Sequence, residues 1–330
     1  MGETFYIFQN GQLKRKDNSI IVTTPDGRKK NLKSEVTDEI YLFGEISMNT
    51  KLLNFLSQKK IIMHVFNYYG FYSGSYCPKE SNVSGYLLVN QVNKYSNKEE
   101  RVKIAKELLR ASAYNIYRNL RYYNSRGIEL ESHMNKIQIL SNRLDDGSTI
   151  QELMGIEGNI RKIYYSTWND IVKKQINFDK RIKRPPDNMI NSIISFINSL
   201  VYTTVLSEIY KTQLNPTVSF LHEPGTRRFS LSLDIAEIFK PLIGDRMIFS
   251  LLNKNQITEA DFEEDSNLLY LKEKGKKKIL IEYDNRLKRT IKHRDLGREV
   301  SYRTLIKLEC YKLIKHIIDE KSYSGFKIWW

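Results

Sequence analysis

Residues 96–124, SNKEERVKIAKELLRASAYNIYRNLRYYN, mark where one kind of sequence gives way to another. Ser96 followed three residues on by Glu99 has the spacing of a capping box, and Val102, Ala105, Leu109, Ile116 and Leu120 then recur at helical intervals. Before this stretch, short apolar and aromatic runs (TFYIF, IIVT, IYLFG, IIMHVF) are punctuated by turn chemistry at Asn10-Gly11 and Pro25-Asp26-Gly27, which predicts strands. One helix over 50–58 interrupts them. After it, helices are expected around 128–144, 148–175, 187–210, 231–253 and 301–320, the last with Ile306, Cys310, Leu313 and Ile317 on one face. The fold class is therefore α+β: a β-rich domain over 1–80, a linker over 81–97 containing Gly, Ser and Pro breakers nearby, and a larger α-helical domain over 98–330.

Composition narrows the partners. Lys and Arg outnumber Asp and Glu by 53 to 38, a net charge of +15 whose field favours polyanions. The densest positive block is 272–298, with eleven basic residues against four acids; it reads either as a solvated connector or as a phosphate-contacting surface carrying Lys276, Lys277, Lys278, Arg286, Lys288 and Arg289. Cys77 and Cys310 lie far apart, so no disulfide is expected, and the N-terminus lacks a secretory pattern, which makes the cytoplasm the expected location. Residues 188–207 carry no charge and have the length of a membrane span, but nine of the 20 are Asn, Ser or Thr. Their apolar positions follow the helical period of a buried core helix, so no membrane is expected.

The chemistry-bearing region is LNPTVSFLHEPGTRRFSLSLDIAEIFKPLIGDR, residues 214–246. Asp234 and Glu237 stand at i, i+3 on a predicted helix, which puts both carboxylates on one face of an element fixed by Ile235, Ile238, Phe239 and Leu242. His222 precedes them in a loop that Pro224 and Gly225 allow to turn back. Imidazole with carboxylates is a mixed nitrogen and oxygen set that suits Mn²⁺ and tolerates Mg²⁺. A further acid, Glu157, lies between Gly155 and Gly158, small neighbours that permit close approach. Each signal alone is weak, since a His near two acids is more often an ordinary hydrogen-bonded residue. Tyr164 and Tyr165 either point along the face of Glu157 or pack on Trp168, and the aromatics beside Arg110, Arg118 and Arg121 read first as core.

Several separated segments, in order, resemble one family: YIFQNGQLKRKDN, VFNYYGFYSGSY, RASAYNIYRNLRYYNSRG, GIEGNIRKIYY, LHEPGTRRFSLSLDIAEIFKP and VSYRTLIKLECYKLIKHI are similar to the CRISPR-associated core integrase and endonuclease that installs new spacers. The resemblance covers the whole chain. It implies that Glu157, His222 and Glu237 bind a divalent metal, Mg²⁺ or Mn²⁺, while Asp234 supports them. Lys240 stands where the family often has Arg, and Ser219 where it more often has Gly; neither is a proposed ligand.

The same resemblance implies attack by the 3′-hydroxyl of a captured DNA fragment on a phosphodiester at the edge of a CRISPR repeat, or hydrolysis when water attacks. It also implies double-stranded DNA as substrate, a homodimer through the β-rich lobes, and a small ferredoxin-like CRISPR-associated partner. Arg227 and Arg228, beyond His222, are DNA candidates or partners of Glu223. Two other readings stay open: a structure-selective nuclease of branched DNA in repair, and a basic scaffold without chemistry.

Overall fold

Turn chemistry shapes the first 80 residues. A computed structural model describes residues 2–330 apart from 79–81, 174, 175, 177, 183–185, 187, 227, 228, 266 and 267. The chain divides into two units, residues 1–81 and 82–330. In the first, strands β1 (Glu3–Ile7), β2 (Gly11–Lys16), β3 (Ser19–Thr23), β4 (Lys29–Lys33), β5 (Thr37–Leu42) and β6 (Ile46–Ser47) precede helix α1 (Thr50–Lys59), then β7 (Ile62–Phe66) and β8 (Tyr72–Tyr76). β3 and β4 pair through the Pro25-Asp26-Gly27 turn, where Gly27 adopts φ 83°, a region closed to most side chains. Two four-stranded sheets result, in the orders β1-β5-β7-β8 and β4-β3-β2-β6. Alternate residues Leu13, Ile20, Leu32 and Ile40 turn inward against Leu52, Phe55 and Leu56 of α1, each burial contributing on the order of 2 kcal/mol.

The segment expected to be a linker is instead a helix. α2 (Gly85–Ser96) starts at Ser84, whose hydroxyl accepts the Leu87 amide. Ser96 closes it, and Asn97 takes the capping role predicted for Ser96: its side-chain oxygen accepts from Glu99 and Glu100 N–H at 3.0 and 3.1 Å. From that cap α3 runs Lys98–Asn124, burying Ile104, Leu108, Leu109, Ile116 and Leu120. α4 (Glu131–Asn142), α5 (Ile150–Ser166) and the short α6 (Trp168–Ile171) follow, α5 opening with a capping box between Thr149 and Glu152.

α7 (Met189–Tyr210) is the apolar helix that composition singled out. It is long and apolar enough to cross a membrane, yet most of it is enclosed by its own unit, which is why its Asn, Ser and Thr residues can hydrogen-bond within protein. Next to it lies α8 (Ser230–Phe239), a wide π-helical segment (Lys240–Asp245) and α9 (Arg246–Asn253). Pro241 has no N–H for the preceding turn, so the α ladder is interrupted there. Side chains from elsewhere take the carbonyls of this run. Asn115 donates to Ile238 (3.0 Å), Asn119 to Pro241 (2.9 Å) and Arg286 to Leu242 (3.3 Å).

The chain continues through hairpin β9 (Phe262–Asp265) and β10 (Leu268–Leu271), α10 (Glu273–Lys288), hairpin β11 (Thr290–Lys292) and β12 (Glu299–Ser301), and α11 (Tyr302–Ile317). Cys310 is a buried free thiol on α11. Residues beyond α11 strap back across α3: Asn115 also donates to the Phe326 carbonyl (3.0 Å) and accepts from Ile328 N–H (2.9 Å). Asn115 thus ties α3, α8 and the strap together with three buried bonds. Asn115→Ala is expected to lower the unfolding free energy by about 2–3 kcal/mol, read from urea midpoints, because it strands three buried backbone groups.

Candidate active site

Asp234 builds the loop that presents His222. It is fully buried on α8, and its Oδ2 accepts the Phe220 and Leu221 amides at 2.6 and 2.9 Å. Its Oδ1 accepts the His222 amide at 2.9 Å and faces His222 Nδ1 at 2.8 Å. Four donors use the roughly four lone-pair directions of one carboxylate, so Asp234 has no capacity left for a cation. Since Asp234 accepts, Nδ1 donates, and the lone pair of His222 sits on Nε2. The loop is braced from two further helices. Gln91 of α2 donates to the carbonyls of Asn215 (3.0 Å) and Val218 (2.7 Å), while Arg101 of α3 donates to the Phe220 carbonyl (2.9 Å) and pairs with Glu223 (2.7 Å).

Glu157 and Glu237, 80 positions apart, share one guanidinium. Arg161, one turn after Glu157 on α5, reaches Glu157 Oε1 at 3.0 Å through Nε and bonds Glu237 Oε2 through Nη2. The other oxygen of Glu237 takes the Lys240 ammonium. Burial would raise the Glu237 carboxyl, but the charges of Lys240 and Arg161 hold it well below the usual carboxylate range. Asp245, at the end of the π-helical segment, is also within reach of these charges; burial dominates there and pushes its carboxyl up to about 6. The Tyr164 hydroxyl lies near this acid.

Two carboxylates converging on a single positive charge, beside an imidazole whose Nε2 keeps its lone pair, form a donor set that suits Mg²⁺ or Mn²⁺. The Arg161 guanidinium bridges the two carboxylates. Among the described residues, no three His, Cys, Asp or Glu side chains are already at metal-binding spacing. The side chains of Glu157, His222 and Glu237 are partly exposed, at 29, 23 and 10%.

Residues 5–285 match the family described as CRISPR associated protein Cas1. A CRISPR-associated endonuclease Cas1 from Fusobacterium nucleatum is 56% identical over 100% of this chain and 98% of its own. The chain belongs to the Cas1 family. A solved Cas1 protein from Thermotoga maritima matches with TM-score 0.88 and 41% identity, covering 98% of this chain and 100% of that one. A casposase bound to integration product, 22% identical, shares the fold at TM-score 0.89 over 98% and 93% of the two chains.

Within this Cas1-family framework, Ser219 and Lys240, the two departures from the usual pattern, both have partners: the buried Ser219 hydroxyl donates to the His222 carbonyl (2.5 Å), and Lys240 pairs with Glu237. Tyr164 is fully buried and meets Trp168 edge-on, with Tyr165 stacked beside it, so core packing accounts for Tyr164. Arg161, Asp245, Gln91 and Arg101 escaped the sequence reading. Of these only Arg161 left a local trace, an acid and a base at i, i+4.

The block over 272–298 is no mobile connector: α10 fills most of it. Lys276 and Arg286 are buried, so both must be removed from the phosphate-contacting surface expected there. Burial lowers Arg286 to about 10, and its guanidinium holds the Leu242 carbonyl instead. Lys278 is tied to the buried Asp261 at 2.7 Å. Lys277, Lys288 and Arg289 remain about half exposed, paired with Glu273, Asp284 and Glu282 respectively. Arg227 and Arg228 lie outside the described residues.

Burial depresses the Lys276 ammonium to about 8. The folded state thus prefers it neutral, and its cost is largest below pH 8, fading as pH rises toward the unfolded value near 10.5. Lys276→Met should raise Tm by about 2–4 °C at pH 7, and differential scanning fluorimetry should show that gain shrinking between pH 8 and 10.5.

Proposed function

We propose that this chain is a divalent-metal-dependent DNA endonuclease and integrase of CRISPR adaptation. The observation that carries the reading is the convergence of Glu157 and Glu237 on one cationic group, with His222 held by Asp234 one turn before Glu237. Family membership supports the nuclease assignment. Glu157, Glu237 and Nε2 of His222 would hold Mg²⁺ or Mn²⁺. Such an ion, when bound, supplies Lewis-acid polarisation of a phosphoryl oxygen and lowers the pKa of an attacking hydroxyl.

The chain's own residues supply the rest. Asp234 holds the imidazole in the tautomer and orientation a cation needs. Gln91 and Arg101 keep the loop from retreating, so the site is organised before substrate arrives. In the joining reaction, the 3′-oxygen of the incoming fragment forms a new bond to phosphorus. The 3′-oxygen of the repeat strand leaves as a hydroxyl, and no enzyme-linked intermediate is required. Water in place of the fragment gives strand cleavage. Double-stranded DNA, a homodimer through residues 1–80, a small ferredoxin-like partner and a cytoplasmic setting complete this reading.

The surface of α5 supports close approach by a nucleic acid. Gly155 and Gly158 flank Glu157 in mid-helix and are exposed, and a Cβ at either would meet nothing within 4 Å. Packing does not explain them, and each costs about 1 kcal/mol relative to Ala. The double replacement Gly155→Ala and Gly158→Ala is expected to raise Tm while lowering the joining rate. A rise in Tm with an unchanged rate would count against DNA passing over this face.

The direct test supplies labelled DNA ending in a 3′-hydroxyl, or in a 3′-deoxy sugar, to a plasmid carrying repeats with Mn²⁺ present. Wild type should join only the first. Glu157→Gln, His222→Ala and Glu237→Gln should each lose about 100-fold or more in joining and cutting, while DNA affinity changes by about threefold or less. Full activity in all three variants dismisses the metal site. Cutting without joining returns the branched-DNA nuclease reading.

A further inference from the structure

We propose that Arg161 is a displaceable internal counter-cation, which neutralises Glu157 and Glu237 in the metal-free protein and moves to Asp245 when a divalent cation enters. The inference rests on the metal reading above and adds a step to it. Arg161 is a poor permanent neighbour for a metal. Its guanidinium already bonds both carboxylates, with Lys240 on the remaining oxygen of Glu237. A doubly charged ion placed among the same oxygens would meet two resident positive charges against two negative ones. The guanidinium must yield its bonds, because the lone pairs it occupies are those the cation needs.

A buried guanidinium cannot be released into nothing. The Arg161 side chain is only 11% exposed, and an unpaired charge at that depth is costly. The fold holds a second acid close enough for its charge to act on Arg161. Asp245 is buried, lies within charge–charge distance of Arg161, and one of its oxygens, Oδ2, accepts no hydrogen bond from any described residue.

The backbone explains why the acid stands there. The π-helical segment Lys240–Asp245 shifts the phase of everything after Glu237, and segments of this kind often accompany functional sites. The flexible stem of Arg161 then needs only to swing between two sets of oxygens. Lys240 remains with Glu237. The device keeps two neighbouring carboxylates from repelling each other before metal arrives, and it offers the arriving ion an exchange of partners rather than an empty, strained pair.

The test measures Mn²⁺ binding directly, by calorimetry or by the EPR signal of free Mn²⁺, together with Tm in EDTA. Glu237→Gln serves as the site control. Arg161→Gln should bind Mn²⁺ about tenfold more tightly than wild type, melt lower in EDTA, and gain more Tm on adding Mn²⁺. Asp245→Asn should bind about tenfold more weakly, since the displaced guanidinium has no receiving charge. The double variant should match Arg161→Gln alone, because without the guanidinium Asp245 has nothing to receive. If Arg161→Gln does not fold, Arg161→Lys carries the same sign, as an ammonium cannot bridge both acids with a planar fork.

Wild-type affinity in the Arg161 variants, or weaker binding, overturns the displacement. Unchanged affinity in Asp245→Asn overturns the receiving role. Absence of Mn²⁺ binding by wild type itself, or equal binding by Glu237→Gln, instead removes the metal site, and the exchange falls with it.

Discussion

One buried carboxylate organises the centre of this molecule. Asp234 contributes no surface and has no spare lone pair, yet three consecutive backbone amides and one imidazole terminate on it. A carboxylate removed from water is expensive unless its lone pairs are filled, and the loop before α8 can fill them only by curling so that Phe220, Leu221 and His222 all point their amides inward. The cost of burying the acid thereby becomes a constraint on loop shape. His222 has its position because of Asp234, and the apolar face of α8 holds Asp234 in place.

From that anchor the remaining site follows by helix geometry. Glu237 lies one turn further along α8, on the edge that faces α5, and Arg161 on α5 completes the approach of Glu157. The interrupted ladder at Pro241 then needs side-chain donors for its carbonyls. Asn119 and Arg286 provide them from α3 and α10, so helices that carry no candidate ligand still determine where the ligands stand.

Much of this was legible in the residues, and what was not has identifiable causes. Strand alternation, the charge-free apolar stretch over 188–207 and the carboxylate spacing of Asp234 and Glu237 are local signals, and the observed elements carry them. The Gly, Ser and Pro residues near 70–80 point to a linker over 81–97, where the structure has α2 from Gly85. Long-range partners decided otherwise, since Gln91 gains three bonds to the 215–218 turn only as part of a helix. The positive block over 272–298 misled for a related reason. Charge counts are blind to burial, and Lys276 and Arg286 face inward while their neighbours face water. Asp245 could not be placed at all from periodicity, because a π-helical turn breaks the phase on which such placement depends.

The bracing of the site by Gln91, Arg101, Asn119 and Arg286 has a consequence for the cell. The contacts of Gln91, Arg101 and Asn119 span some 120 positions along the chain and that of Arg286 spans 44, so loop-closure entropy delays them until most of the second unit has condensed. A nascent or heat-damaged polypeptide keeps its positive charge and can still adhere to a chromosome. It lacks the assembled geometry, and the capacity to cut is confined to molecules whose folding has finished.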